Sequence, residues 1–348
     1  MIQRKLNNVS VIVAMWFLVV AAVPADAVQD AESQRRPEQV LFFATDRNDT
    51  GSAEADQKYG YARSEMTYGL AKVAIPDDHR IGKSIPSDKN ALVLSALDRP
   101  AFFQEIAKSV ASSEEKSLFL YLHGYNVNFK EAAMSCAQIV NDLHFNGCAL
   151  FFSWPSHGHI TSYLADEASV LWSERDLEKL LESVVLNSGS KNIYLMAHSM
   201  GNRALTLAFL ELARTKPKLL SSVKLLMLAA PDMDAGMFKR DIAPALASTG
   251  VKVTLYASTN DKALRLSKRL HAYPRAGEIY SLPLIAPGIE TIDVTGVDDA
   301  SMGHSYHCEA RPVLSDIYYS MKLNLGADKR YSLDAIDTPQ GRYWKFRE

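Results

Sequence analysis

The chain has 348 residues, with 38 Lys and Arg against 40 Asp and Glu, and 47% of its residues are hydrophobic, enough to build one large core or two small ones. With no basic excess and no acidic block, a nucleic-acid partner is not expected. The three cysteines, Cys136, Cys148 and Cys308, form no C-x-x-C and no zinc-spaced cluster with histidine, so neither a disulfide framework nor a metal site is indicated.

The N-terminus carries Arg4 and Lys5, an apolar run from Val9 to Val23, and then Pro24 and Ala25-Asp26-Ala27. This is the order of a secretory signal over residues 1–27 with cleavage after Ala27, so the chain is expected to be exported, periplasmic or secreted, with no membrane span left after cleavage. The alternative is an uncleaved N-terminal anchor, because the apolar run is close to the shortest that spans a bilayer. A polar, proline-containing linker is expected at 28–39, the folded domain at 40–325, and a C-terminal tail rich in Arg, Lys and aromatic residues at 326–348.

Strand-like runs at 40–45 (VLFFAT), 68–75 (YGLAKVAI) and 91–97 (ALVLSAL) come first, separated by loops, and suggest an antiparallel edge to a sheet. A short helix around 101–112 follows. The pattern then becomes an alternation of buried strands at 117–125, 148–155, 192–198, 223–232 and 251–258 with helical stripes at 129–145, 176–186 and 202–214. Continuous apolar strands in a βα series predict a parallel sheet covered on both faces, with the ligand crevice at the carboxyl ends of the strands.

Polar residues collect at those ends. His123, Gly124, Tyr125 and Asn126 follow the first long strand. His198 and Ser199 follow the third, Asp232 and Asp234 the fourth, and Asn260 and Asp261 the fifth; His304 and His307 lie in a later segment. AHSMG at 197–201 departs from the G-x-S-x-G elbow only in Ala197. A serine hydroxyl needs an imidazole to take its proton, and the imidazole needs a carboxylate to hold its tautomer. The chain order Ser199, Asp261, His304 supplies these as nucleophile, acid and base, in the order of an α/β-hydrolase triad. Asp232 and Asp234 compete for the acid and His307 for the base; Asp261 also reads as the N-cap of a helix at 261–270. The backbone N–H groups of Met200, at a helix start, and of Tyr125, after Gly124, are the expected oxyanion hole. Tyr125, Trp154 and Tyr163 are candidates for an apolar acyl pocket.

FFATDR (42–47), YGYARSEMTYGLAKVAIPDDH (59–79), FLYLHGYN (119–126), FFSWPS (151–156), AHSMGNRAL (197–205), AAPDMD (229–234), STNDKALRLSKRLH (258–271) and GHSYH (303–307) together resemble the bacterial DUF900 family of α/β-hydrolases over about residues 40–322. The resemblance implies an α/β-hydrolase fold with Ser199 as nucleophile, Asp261 as acid and His304 as base. The expected function is that of a serine hydrolase acting on a small-molecule acyl ester through an acyl-enzyme, without cofactor; a thioesterase or peptidase would use the same groups. The alternative is a catalytically inactive binding or envelope-interaction protein on the same scaffold.

Overall fold

The computed structural model describes residues 38–86, 91–297 and 303–347. The expected signal segment, and all but the last two residues of the expected linker, lie outside the described residues. Those two, Glu38 and Gln39, already belong to the first strand.

Among the described residues eleven strands form one sheet: β1 (Glu38–Asp49), β2 (Tyr59–Ala74), β3 (Leu92–Leu97), β4 (Ser117–Leu122), β5 (Cys148–Ser153), β6 (Asn192–His198), β7 (Val223–Ala229), β8 (Lys252–Ala257), β9 (Ile289–Asp293), β10 (Leu333–Thr338) and β11 (Gly341–Phe346). Their spatial order is β10-β11-β9-β8-β7-β6-β4-β5-β1-β2-β3. From β11 to β1 all neighbours pair in parallel, while β2 and β3 run antiparallel at one edge and β10 antiparallel at the other. The main helices among the described residues are α1 (Arg99–Ser112), α2 (Phe129–Asp142), α3 (Tyr163–Trp172), α4 (Glu174–Asn187), α5 (Gly201–Thr215), α6 (Ala243–Ser248), α7 (Lys262–His271) and α8 (Arg311–Lys322).

The apolar strands are explained by two-sided burial. Leu118, Leu120 and Leu122 of β4 join Phe152, Leu195 and Leu226 in one core with helices α1, α4 and α5. Phe119 and Tyr121 point the other way, into a second core with Phe151, Met196, Met227 and residues of α2 and α8. The period-2 alternation that marks a one-sided strand is therefore replaced by an unbroken run. Helix α2 is fixed at its start by a capping box, in which the Asn128 side chain accepts from Glu131 N and the Glu131 side chain from Asn128 N.

The expected C-terminal tail is instead part of the domain. β10 and β11 form a hairpin that continues the sheet beyond β9. Upstream of it, Arg330 is buried and donates to Asp316 (2.9 Å), Thr254 (3.0 Å) and Glu290, tying the segment to α8, β8 and β9. Its alternation of apolar and charged residues is that of an edge hairpin with one wet face.

The order β6-β4-β5 sets the position of the site. The chain leaves β4 towards β5 on one side and returns to β6 on the other, the strand-order reversal beside which open parallel sheets bind their ligands. The loops after β4 and β6 carry His123–Asn126 and Ser199.

Candidate active site

Ser199 stands between β6 and α5 with φ of +51°, a left-handed conformation that a residue with a Cβ adopts only at a cost of about 1–2 kcal/mol. The turn is held from several sides. Ser199 N donates to Ala229 O (2.9 Å), Asp232 N to Ser199 O (3.3 Å), and the Asn202 side-chain amide to both Ser199 O (2.9 Å) and Ala229 O (3.1 Å). Gly201 is required by contact: a Cβ there would stand 2.3 Å from His123 O. Ala197 is fully buried within β6, where its methyl is accommodated at the position of the missing first glycine.

The β4 loop packs onto this turn. A Cβ on Gly124 would lie 2.9 Å from both Ser199 Cβ and His198 Nδ1, so only glycine lets Tyr125 follow so close to the serine. Asn126 is also left-handed, at φ +58°. Arg47, at the end of β1, is buried and braces this loop: its guanidinium donates to Val127 O (2.8 Å), Ser156 O (2.8 Å), Gly60 O (3.0 Å) and Ser153 Oγ (2.8 Å). Asp166 of α3 accepts from Ser156 Oγ (2.6 Å), His157 N (2.9 Å) and Asn126 N (3.4 Å). At the head of α5 the Met200 N–H has no hydrogen-bond partner among the described residues and is available to an incoming oxyanion.

Asp261 follows β8 and is fully buried. Its two oxygens divide two tasks: Oδ1 accepts from Leu264 N (2.8 Å) and caps α7, while Oδ2 accepts from His304 Nδ1 (2.7 Å). The N-cap role and the partnership with histidine, which compete in the sequence, therefore coexist. His304 keeps a solvent-accessible edge and lies with its ring centroid 4.5 Å from that of His198, the residue preceding Ser199. His198 Nε2 donates to His304 O (3.0 Å), fixing the backbone that presents the imidazole.

The competing residues are occupied elsewhere. Asp232 accepts from Tyr163 Oη, Ser267 Oγ (2.6 Å) and Arg275 Nε (2.7 Å). Burial alone would raise its pKa, but Arg203 and Arg275 hold it below the usual carboxylate range. Asp234 caps a short turn by accepting from Met237 N. His307 is buried, stacks on His198 at 4.1 Å and meets Tyr121 Oη at 3.3 Å; burial and the neighbouring His304 push its pKa down to about 3. Burial likewise keeps His198 well below its ordinary value, and, with Arg47, lowers His123 to about 3. These are neutral, packed imidazoles. His123 Nδ1 donates to Gly124 O (2.8 Å).

Of the aromatic trio, Trp154 does not line a pocket. It is fully buried, stacks on His123 at 4.9 Å and donates from Nε1 to His123 O (2.9 Å), supporting the β4 loop from behind. Tyr125 and Tyr163 meet edge to face at 5.1 Å. Arg47, Asp166 and Asn202 were not singled out in the sequence; a charged residue closing a buried strand, as in FFATDR, is the only signal that marks Arg47. Among the described residues no cluster of His, Cys, Asp and Glu is arranged to hold a metal, and no helix is long and apolar enough to cross a membrane.

An uncharacterized protein from Nostoc sp. is 26% identical over 197 residues, 47% of this chain and 49% of that protein, so the chain spans about half the length of the curated relative it matches. Among solved structures, a predicted CIB-like hydrolase from Thermoplasma acidophilum aligns at 13% identity and TM-score 0.39, covering 83% of this chain and 99% of that one. The carboxylesterase CesB from Bacillus subtilis aligns at 9% identity and TM-score 0.40, covering 86% and 97%. The model of the alpha/beta hydrolases of unknown function called DUF900 matches residues 98–320, and the chain belongs to that family.

Proposed function

We propose that the protein is a serine hydrolase of carboxylic esters, with Ser199 as nucleophile, His304 as general base and then acid, and Asp261 as the carboxylate that holds the imidazole. The observation that carries this reading is the left-handed Ser199, held by its neighbours in a strained conformation at the tight turn between β6 and α5. The Asp261–His304 hydrogen bond supports it: with Nδ1–H committed to the carboxylate, Nε2 is the basic nitrogen.

In this mechanism His304 Nε2 takes the Ser199 proton as Oγ attacks the ester carbonyl. The carbonyl oxygen becomes an oxyanion, which the N–H groups of Met200 and Tyr125 stabilise. The imidazolium, paired with Asp261, returns its proton to the departing alkoxide, leaving an acyl-enzyme. Water, deprotonated by the same imidazole, then releases the acid. Tyr125 and Tyr163 offer an apolar wall to the acyl or alcohol part.

The test is labelling with a fluorophosphonate probe, followed by turnover of p-nitrophenyl esters of increasing acyl length. Ser199-dependent labelling and ester turnover are expected. A wild-type protein that neither labels nor turns over any ester in the series would overturn the reading in favour of a non-catalytic role. We also propose export, on the N-terminal pattern; N-terminal sequencing of the mature protein should begin at Val28.

A further inference from the structure

We propose that helix α7 and the loop after it form a docking surface for an anionic lipid bilayer, beside the crevice that holds Asp261 and His304. The segment Lys262–His271 contains Lys262, Arg265, Lys268, Arg269 and His271 and no acidic residue, in a chain whose net charge is −2. Its inner side is committed to the fold through buried Leu264 and Ser267. Its outer side is not polar throughout: Leu266 and Leu270 are each 58% exposed, and beyond the helix end Tyr273 is 64% and Tyr280 81% exposed.

At about 100° per residue, Lys262, Leu266, Arg269 and Leu270 share an arc of about 100°, with Arg265 flanking it. Two leucines four apart, edged by cations and followed by tyrosines, are the composition of a helix lying in a membrane interface. The last-turn cations also complement the helix dipole, but that effect asks for no exposed leucines.

Among the described residues, Lys268 and His271 have carboxylate partners, while Arg265 and Arg269 have none. Asp261 faces inward to Leu264 and His304, Glu167 is shared by Arg203 and His271, and Glu278 lies 3.5 Å from Lys268, which also sits over the Tyr280 ring. Among the described residues, Arg265 reaches only the carbonyls of Asn260 and Asp261, and Arg269 has no hydrogen-bond or ion-pair partner. The combination selects a surface that is both negatively charged and apolar beneath, so a lipid bilayer with anionic headgroups is the occupant. Since Asp261 caps the start of α7, docking would set the crevice at the membrane.

The test uses the full chain with Leu270→Cys labelled by an environment-sensitive nitrobenzoxadiazole dye; the three native cysteines are buried. The dye reports from α7 itself, whatever the N-terminal apolar run does. Vesicles of equal phosphatidylglycerol and phosphatidylcholine should shift its emission to the blue, and phosphatidylcholine alone should not. Arg265→Glu with Arg269→Glu should weaken the response by about tenfold or more, and added salt should weaken it similarly. Equal emission with both vesicle types, or a response that survives the double charge reversal, would overturn the proposal. Vesicle binding is read without turnover, so its outcome is separate from that of the hydrolase reading.

Discussion

Asp261 serves two partners with its two oxygens, capping helix α7 through Leu264 N–H at 2.8 Å and receiving the His304 Nδ1–H at 2.7 Å. Asparagine in its place keeps an acceptor for the cap but loses the charge that stabilises an imidazolium. Asp261→Asn is therefore expected to lower kcat for ester hydrolysis by about 10³–10⁴-fold with a small change in stability. Asp261→Ala should add a loss of about 1 kcal/mol for the missing cap. Steady-state kinetics and denaturant melts on the two variants check this; full turnover by Asp261→Asn would remove it from the site.

The left-handed turn at Ser199 predicts a stability order. Ser199→Gly and Ser199→Ala both lose the hydroxyl, but glycine accepts φ near +51° freely. Ser199→Gly should be more stable than Ser199→Ala by about 1 kcal/mol. Gly201→Ala, by contrast, drives a Cβ into His123 O at 2.3 Å and should cost about 1–3 kcal/mol.

His307 separates the base assignment from the packing of the histidines. Its folded pKa of about 3 lies below the 6.5 of an unfolded histidine, so the unfolded chain binds a proton that the native state refuses. That contribution is present above pH 6.5 and is lost as pH falls towards 3. His307→Phe should flatten the stability curve across this window by up to about 1.4 kcal/mol per pH unit, and ester turnover should persist. His304→Gln should abolish turnover. Retained turnover in His304→Gln with loss in His307→Phe would exchange their roles.

Asp46 predicts the opposite pH trend. Burial raises its pKa from 3.8 to about 7, so between those values the native state holds a proton that the unfolded chain has released. The wild-type protein thus loses stability as pH rises through this window. Asp46→Asn removes the titration, and its melting temperature relative to wild type should increase from pH 4 to pH 8. A pH-independent difference would contradict the neutral buried carboxyl.

Arg47 is expected to act through the β4 loop. Lysine keeps the charge but not the fork that reaches Val127, Ser156, Gly60 and Ser153 together. Arg47→Lys should lower kcat by about tenfold or more, with KM less affected, and cost about 1–3 kcal/mol of stability. Unchanged kinetics would mean that the loop holds its position without it.

Much of this protein was legible in the sequence because local chemistry determined it. Unbroken apolar runs such as SLFLYL reported strands covered on both faces, AHSMG reported a tight strand-to-helix turn, and the residues after each strand collected at one end of a parallel sheet. What the sequence could not decide was which of several like residues meet. Asp232 and Asp261 both follow buried strands, and only the fold shows that Arg203 and Arg275 claim the first while the second receives His304. Likewise Trp154 lies behind the β4 loop, and the C-terminal hairpin extends the sheet from β9, because both depend on strand order. Periodicity encodes which face of an element is buried; partners between segments far apart in the chain are set by topology, and that information exists only once the sheet is assembled.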